Sequence, residues 1–275
     1  MIIEKYRHPV IFYALSTVIP WTFWFVAAYI SHVMPTTQLL GASVSILAIV
    51  GLCAPAFIAF WMIGSNHDLY KDFKKRIFNL KIRPIYLFLT CFLMLGSILL
   101  AQAISLFFGY SIDQFIISGK TSFSGGDLPG WFWLFFAPFV EELAWHSYGT
   151  DCLRQRMNLI YASLLFGFYW AFWHYPAFLI KGYYHSNLEA TGFIYSLNFM
   201  VSIIPFVILA NWLYYKTHRN ILVVIIFHIT AGVFNELFNT DPNSKIIQTI
   251  ILMILAVVLV MREKNFFFQK RYREN

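Results

Sequence analysis

The chain has 275 residues, of which 59% are hydrophobic, 20% are aromatic and only 12% are charged. Because an ordinary soluble domain has about 25% charged residues, this composition excludes the soluble globular class and indicates a polytopic membrane protein. The net charge of +7 is spread over short loops and does not indicate nucleic-acid binding.

Apolar runs long enough to cross a bilayer recur along the whole chain. A helix of about 20 residues crosses roughly 30 Å of hydrocarbon, and backbone groups in lipid must be paired within their own segment. We therefore predict an all-α polytopic membrane protein with a single integral membrane domain covering residues 1–275. The eight predicted spans are 9–30, 39–63, 84–109, 131–150, 159–180, 193–215, 221–239 and 246–261.

The loops alternate in charge along the chain. The N-terminal arm, the 64–83 loop, the 151–158 turn, the 216–220 turn and the tail together carry +11, whereas the intervening loops carry −2. The positive-inside rule then places both termini in the cytosol, with 262–275 as a basic cytosolic tail. We expect the protein to lie in a bacterial plasma membrane, in contact with membrane lipids.

Span four contains the pair Glu141-Glu142, which supplies the remaining −2 of the net charge. A carboxylate at the bilayer centre costs about 2.5 to 3.5 kcal/mol on insertion scales. Two such groups need partners or a water-filled cavity, and both requirements are typical of a catalytic or proton-carrying site.

Three polar groups on different spans are predicted to lie at nearly one depth. Helical rise places Glu141 about 15 Å below the outer end of span four, His174 about 10 Å below that of span five and His228 about 16 Å below that of span seven. Spans four, five and seven are therefore predicted to form the active-site bundle. His146 lies deeper, about 23 Å down, and should play a different part.

Helical spacing separates the two glutamates. Successive residues point about 100° apart, so Glu142 faces His146 at i, i+4 whereas Glu141 faces Trp145. We predict that Glu141 points into a cavity and that Glu142 forms a local pair with His146. Pro138, one turn earlier, donates no amide hydrogen and should open the backbone toward the site.

The residue types allow two kinds of hydrolytic site. A buried carboxylate and an imidazole can activate water, while a second imidazole stabilises an oxyanion. The same residues, Glu141, His174 and His228, are also a competent zinc set. Histidines that merely pack among aromatic rings, or a proton relay in a carrier, are further alternatives.

Three motifs in this region resemble the CPBP intramembrane proteases, the CAAX-protease and bacteriocin-processing group also called Abi. The first, a Glu pair followed after three residues by Arg, corresponds to Glu141-Glu142-Leu-Ala-Trp145-His146-Ser-Tyr148. The second, an aromatic residue followed by three residues and His, corresponds to Trp170-Ala-Phe-Trp173-His174. The third, His-x-x-x-Asn, corresponds to His228-Ile-Thr-Ala-Gly232, and the family-like core covers about 131–240.

The resemblance implies peptide-bond hydrolysis within the membrane. It implies that Glu141 activates water together with His174, and that His228 contributes to the oxyanion hole. The substrate would be a membrane-associated protein or peptide of CaaX, bacteriocin or signal type. The family has been called a metalloprotease family, but its structural logic implies a glutamate mechanism without a cofactor, with zinc as the less favoured alternative.

Two positions depart from the family pattern. His146 replaces the Arg of the first motif, and Gly232 replaces the Asn of the third. Loss of one oxyanion donor typically costs about 10² to 10³ in rate. Asn235, at i+7 from His228, lies about 10 Å along the helix axis. The departures motivate a second hypothesis, a non-catalytic family member that acts in bacteriocin immunity or as a membrane regulator.

Overall fold

The computed structural model describes residues 2–33, 38–121 and 129–270. Within these residues the chain is helical throughout, with no named strand and one isolated β-bridge between Ile117 and Phe238. The predicted all-α class is confirmed. The helices are α1 Pro9–Val33, α2 Gln38–Gly64, α3 His67–Ile77, α4 Pro84–Leu106, α5 Gly130–Ala144, α6 Thr150–Arg154, α7 Leu159–Trp173, α8 Tyr184–Thr191, α9 Phe193–Lys216, α10 Ile221–Leu237, α11 Pro242–Arg262 and α12 Lys264–Phe268.

Each predicted span coincides with a helix, but the helices differ in length. Five helices in the described residues are long and apolar enough to cross a membrane: Pro9–Val33, Gly41–Gly64, Pro84–Leu106, Phe193–Lys216 and Pro242–Arg262. The other three apolar helices, α5, α7 and α10, have 15, 15 and 17 residues. The protein is an integral membrane protein, and the count of eight spans stays a prediction.

Spans four and five are not uniform α-helix, because both change helical geometry within the predicted range. α7 ends at Trp173, and a 3₁₀ turn over Tyr175–Leu179 replaces the helix that was expected to reach residue 180. α5 ends at Ala144 and continues as a π-turn over Trp145–Gly149. Irregular backbone at membrane depth is tolerated where it lines a cavity or is buried in protein.

Side-chain caps fix the starts of the two site helices α7 and α10. Asn158 accepts a hydrogen bond from the Tyr161 N–H at 3.0 Å, and Asn220 accepts one from the Val223 N–H at 3.1 Å. Each Asn satisfies a backbone donor that has no partner inside its helix. The caps define where the apolar face of each helix begins.

The 64–83 loop is more than a solvated basic segment. It contains the amphipathic helix α3, capped by Asn66, whose Asp72 and Arg76 are buried. The expected outer loop 181–192 likewise contains α8. Both segments are polar and lie between predicted spans, so the sequence predicts loops there. In the structure they contain helices of 11 and 8 residues.

Helix packing encloses the central part of the chain. α5 packs against α2 and α10, α7 packs against α9, and α4 lies against both α10 and α11. The helices that carry Glu141, His174 and His228 are therefore surrounded by the longer helices α2, α4, α9 and α11. α5 and α7 also have exposed faces, on which Phe135 and Phe168 lie.

The tail begins with α12, in which Phe267 is buried. Arg154 donates hydrogen bonds to the carbonyl oxygens of Gln269 at 3.1 Å and Lys270 at 3.2 Å. The backbone of the tail is therefore bound to the rest of the protein up to Lys270. Residues 271–275 lie outside the described residues. The cytosolic orientation of both termini, and the bacterial plasma membrane, stay predictions.

Candidate active site

The two glutamates lie at the point where α5 changes into the π-turn. Glu141 and Glu142 are 7% and 1% exposed. The Thr150 N–H bonds to the Trp145 carbonyl, five residues back, which is the pattern of a π-helix. The expected opening at Pro138 is wrong, because Pro138 lies inside continuous α-helix and the irregular turn follows the pair. π-turns of this kind often occur at functional sites.

Glu142 binds two histidines rather than one. The Nδ1 of His146 bonds to one carboxylate oxygen, and the Nδ1 of His228 bonds to the other at 2.9 Å. The predicted local pair with His146 is confirmed. The second partner was not predicted, and it means that Glu142 links α5 to α10.

Both ring nitrogens of His146 have a partner. Nδ1 faces Glu142, and Nε2 lies 2.9 Å from Asn211 Oδ1. Asn211 Nδ2 in turn donates to Ser163 Oγ at 2.9 Å, and Ser163 Oγ donates to the Leu159 carbonyl at 2.8 Å. His146 thus occupies the place of the motif Arg with a partner on each ring nitrogen.

Glu141 is held differently from its neighbour. The indole N–H groups of Trp145 and Trp170 lie near its carboxylate. Both indole nitrogens are buried, and neither meets the geometry of a full hydrogen bond to any group in the described structure. The Glu141 carboxylate can therefore reach a small molecule in the cavity.

His174 follows the last residue of α7 and is 7% exposed. Its Nδ1–H donates to the Trp170 carbonyl at 2.7 Å. In the neutral ring this leaves the lone pair on Nε2, which can accept a proton. Trp170 also touches His228, with ring centroids 5.2 Å apart at an interplanar angle of 90°.

One cavity of about 460 Å³ joins the three predicted catalytic residues. Glu141, His174 and His228 all line it, as do Gly232 and Asn235. Glu142 and His146 are absent from the lining. The structure thus places the first glutamate in the cavity and the second in the surrounding protein, as helical spacing predicted.

The oxyanion side of the cavity lacks the motif amide. Gly232 stands one turn after His228, and a Cβ added there would lie 3.2 Å from Leu134 Cδ2. Asn235 does not replace the amide, because it lies seven residues after His228, about 10 Å along the helix axis, and its Nδ2 donates to Glu236 at 3.1 Å. With Nδ1–H directed at Glu142, His228 can offer an Nε2–H to an oxyanion as the imidazolium. Glu142 supplies the counter-charge for that form.

The alternative zinc set is not assembled as a metal site. Over 2–33, 38–121 and 129–270, no group of three His, Cys, Asp or Glu side chains is placed to hold one metal ion. His228 Nδ1 bonds to Glu142 and His174 Nδ1 bonds to a backbone carbonyl, which leaves both Nε2 atoms available to the cavity. Histidines that bind a metal have the same arrangement, so zinc stays the less favoured alternative.

A buried charged cluster supports the π-turn from below. Arg76 donates to the carbonyl oxygens of His146 at 2.9 Å and Ser147 at 2.8 Å. Arg219 binds both Asp72, at 2.8 Å, and Asp151, at 2.5 Å. This cluster was not predicted, because its members lie in segments whose charges are typical of solvated basic loops.

The electrostatics of this cluster favour its charged form. Burial alone would raise the pKa of Asp72, but the guanidinium groups of Arg76 and Arg219 outweigh it and hold that pKa below its ordinary value. The ionised carboxylates then anchor the arginines that hold the π-turn backbone. The cluster is therefore a support for the site rather than part of the cavity.

His185 in α8 is a cavity residue that sequence reasoning placed in a loop. Its ring lies 5.2 Å from that of His174 and 4.9 Å from that of Phe199. The only sequence signal is the aromatic stretch Tyr183-Tyr184-His185 directly after Gly182. Glu236 and Lys245, which form an ion pair at 3.3 Å, line the same cavity.

Comparison with known proteins gives two matches. The protein-family model described as Type II CAAX prenyl endopeptidase Rce1-like matches residues 128–234. Over 272 residues the chain is 35% identical to a curated protein named CAAX prenyl protease 2, from Methanococcus maripaludis. That alignment covers 98% of this chain and 99% of the relative.

Proposed function

Because this chain belongs to the Rce1-like type II CAAX prenyl endopeptidase family, we propose that it hydrolyses a peptide bond within the C-terminal CaaX box of a prenylated, membrane-associated protein. Membership confirms the resemblance to the CPBP intramembrane proteases, and the chain is a protease of that type. The CaaX substrate is preferred to a bacteriocin or signal peptide because the relative is named a CAAX prenyl protease.

One observation carries the proposal. Glu141, His174 and His228 come from three different helices and line a single buried cavity. A carboxylate, an imidazole with a free acceptor nitrogen and a second imidazole opposite are the groups that amide hydrolysis requires. A cavity of about 460 Å³ is also within the range of about 300 to 1,000 Å³ that is usual for ligand sites.

In the proposed reaction, water is activated between Glu141 and His174. The Glu141 carboxylate takes one proton from water as the oxygen attacks the scissile carbonyl carbon, while His174 Nε2 accepts a hydrogen bond from the same water. The tetrahedral oxyanion then accepts a hydrogen bond from the Nε2–H of His228. Collapse breaks the C–N bond, and the proton held by Glu141 passes to the leaving amine.

The wall of the cavity suits a lipid-modified substrate. One side consists of apolar residues from α1, α2, α4 and α5, and these include Trp24, Ala48, Leu52, Met94, Trp133 and Ala137. Burying an isoprenoid chain there gains about 25 cal/mol for each Å² of apolar surface removed from water. We propose that this apolar side holds the prenyl group while the peptide lies across Glu141.

The test is cleavage of a farnesylated CaaX peptide by the purified protein in proteoliposomes, followed by mass spectrometry. Wild-type protein should release the C-terminal fragment, and Glu141→Gln should abolish release while the protein stays folded. Equal cleavage by wild type and Glu141→Gln would rule out the proposed mechanism. Folded wild-type protein that cleaves no prenylated peptide would instead support the non-catalytic alternative.

A further inference from the structure

One cation lines the cavity. Of the lining residues in the described part of the chain, Lys245 is the single Lys or Arg. It lies in the first turn of α11, and its Nζ is 3.3 Å from Glu236 Oε1. Its side chain is 22% exposed, whereas that of Glu236 is 3% exposed. The buried Glu236 carboxylate therefore holds the Lys245 ammonium group at the cavity wall.

The ion pair with Glu236 leaves the ammonium able to bind a second anion. A lysine ammonium has three N–H donors, and Glu236 accepts one of them. The start of α11 adds positive charge from its backbone N–H groups and helix dipole. The nearby Asp241 side chain is occupied as a cap, since it accepts from the Asn243 N–H at 2.8 Å.

The distance from the reaction centre to this cation is set by α10. Glu236 lies eight residues after His228 on the same helix, which corresponds to about 12 Å along the axis. Both residues line the same cavity. Because Lys245 is paired with Glu236, its ammonium group lies near the level of Glu236, roughly 12 Å along the α10 axis from His228.

That distance is close to the length of the peptide between the scissile bond and the C-terminus of the proposed substrate. A CaaX box is C-terminal, so any bond within it lies at most three residues before a free α-carboxylate. Three extended residues span about 10 Å. A peptide with its carbonyl at His228 would then place its terminal carboxylate beside Lys245.

We propose that Lys245, positioned by Glu236, binds the free C-terminal carboxylate of the substrate and thereby sets how far from the chain end the protein cuts. This inference rests on the proposed function. The hydrogen bond joins two charged groups and is therefore stronger than a neutral one. An internal segment of a protein has no α-carboxylate at that distance, so Lys245 adds nothing to its binding affinity.

The experiment compares two farnesylated peptides of identical sequence, one with a free C-terminal acid and one with a C-terminal amide. Wild-type protein should cleave the acid with a kcat/KM about 10- to 100-fold higher, the range for a hydrogen bond to a charged group. The difference should lie mainly in KM. Lys245→Met should bring the acid-to-amide ratio close to one, and Lys245→Arg should keep a preference for the acid.

Two further variants separate binding from folding. Glu236→Gln combined with Lys245→Met removes both charges, so that neither is left buried alone, and it should also abolish the acid preference. Lys181→Met is the matched control, because Lys181 is exposed and does not line the cavity; it should keep the wild-type ratio.

The outcomes separate this inference from the one on which it rests. Cleavage of both peptides with equal kcat/KM by wild type, or a full acid preference in Lys245→Met, overturns the carboxylate site and leaves the proposed function standing. Wild-type protein that cleaves neither peptide overturns the proposed function, and this inference with it.

Discussion

Glu142 and His228 are joined by a hydrogen bond of 2.9 Å although they are 86 residues apart in the chain. The bond fixes the ring of a cavity-lining histidine through a carboxylate that does not itself line the cavity. Histidines in reactive sites are commonly oriented in this way by a carboxylate on the far ring nitrogen. The second glutamate therefore orients the His228 ring, whereas the first is the residue proposed to activate water.

The two glutamates should respond differently to the same substitution. Glu141→Gln removes the base and should lower kcat by about 10³-fold, within the range for general acid–base catalysis, with little change in Tm. Glu142→Gln leaves His146 and His228 without a shared counter-charge, so it should lower both kcat and Tm. Kinetics and thermal unfolding in the same detergent give the comparison, and equal Tm values for the two variants would contradict it.

His146 should be replaceable by Arg but not by an apolar residue. His146→Arg can donate to Glu142 and to Asn211, so it should retain activity. His146→Leu leaves Glu142 and Asn211 without their partner, and removal of one member of a buried pair costs about 3 to 5 kcal/mol. Thermal unfolding measures this loss. Unchanged Tm in His146→Leu would show that the His146 side chain does not hold the site together.

Gly232→Asn should raise activity by supplying the missing amide. Asn at 232 lies one turn after His228 and faces the same cavity, so kcat should increase by about 10-fold or more. The new Cβ would meet Leu134 Cδ2 at 3.2 Å, which a small rotation of that side chain relieves. Gly232→Ala, with the Cβ but without the amide, is the control. If both variants have the same kcat, the amide is not used.

Trp170→Phe should distinguish the effect of the indole N–H on the reaction from the effect of the aromatic ring. Phe keeps the ring beside His228 and the backbone carbonyl that holds His174, but it removes an N–H donor that lies near Glu141. We expect kcat to fall about 10-fold, as for loss of a hydrogen bond to a charged group, with KM almost unchanged. Trp212→Phe is the control, because its indole donates to Glu263 at 3.2 Å, away from the cavity. A kcat that does not change in Trp170→Phe would remove the indole from the mechanism.

Removal of metal should leave the activity intact. The side chains of Glu141, His174 and His228 do not form a metal-ligand group in the described structure. We expect cleavage to persist in the presence of a strong zinc chelator, and elemental analysis of the purified protein to give well under one zinc per chain. One zinc per chain together with loss of activity on chelation would establish the zinc alternative.

Much of the fold could be predicted from apolar length alone. The requirement to cross the bilayer located every long helix, because it acts on the summed hydrophobicity of about 20 residues and is insensitive to any one side chain. The pair of Glu142 with His146 followed from i, i+4 spacing. The depth argument selected Glu141, His174 and His228 because buried polar groups in a membrane protein tend to collect in one cavity.

The remaining features depend on contacts that spacing does not encode. A π-turn changes the direction of every side chain after it, so the phase of Tyr148 or Asp151 could not be read from an ideal helix. The bond between Glu142 and His228 requires the relative rotation of α5 and α10. Arg76 and Asp72 lie in the predicted 64–83 loop, where a basic segment is usually solvated. In the structure they are 2% and 8% exposed.

The short helices have a consequence for the surrounding lipid. α7 and α10 rise about 22 to 26 Å, less than the roughly 30 Å of hydrocarbon in an average bilayer. A hydrophobic segment shorter than the bilayer draws the lipid inward or is compensated by its neighbours. Membrane thickness thereby becomes a variable of the reaction, and the acyl-chain length of the lipid sets how far a lipid-anchored peptide must travel before it meets water.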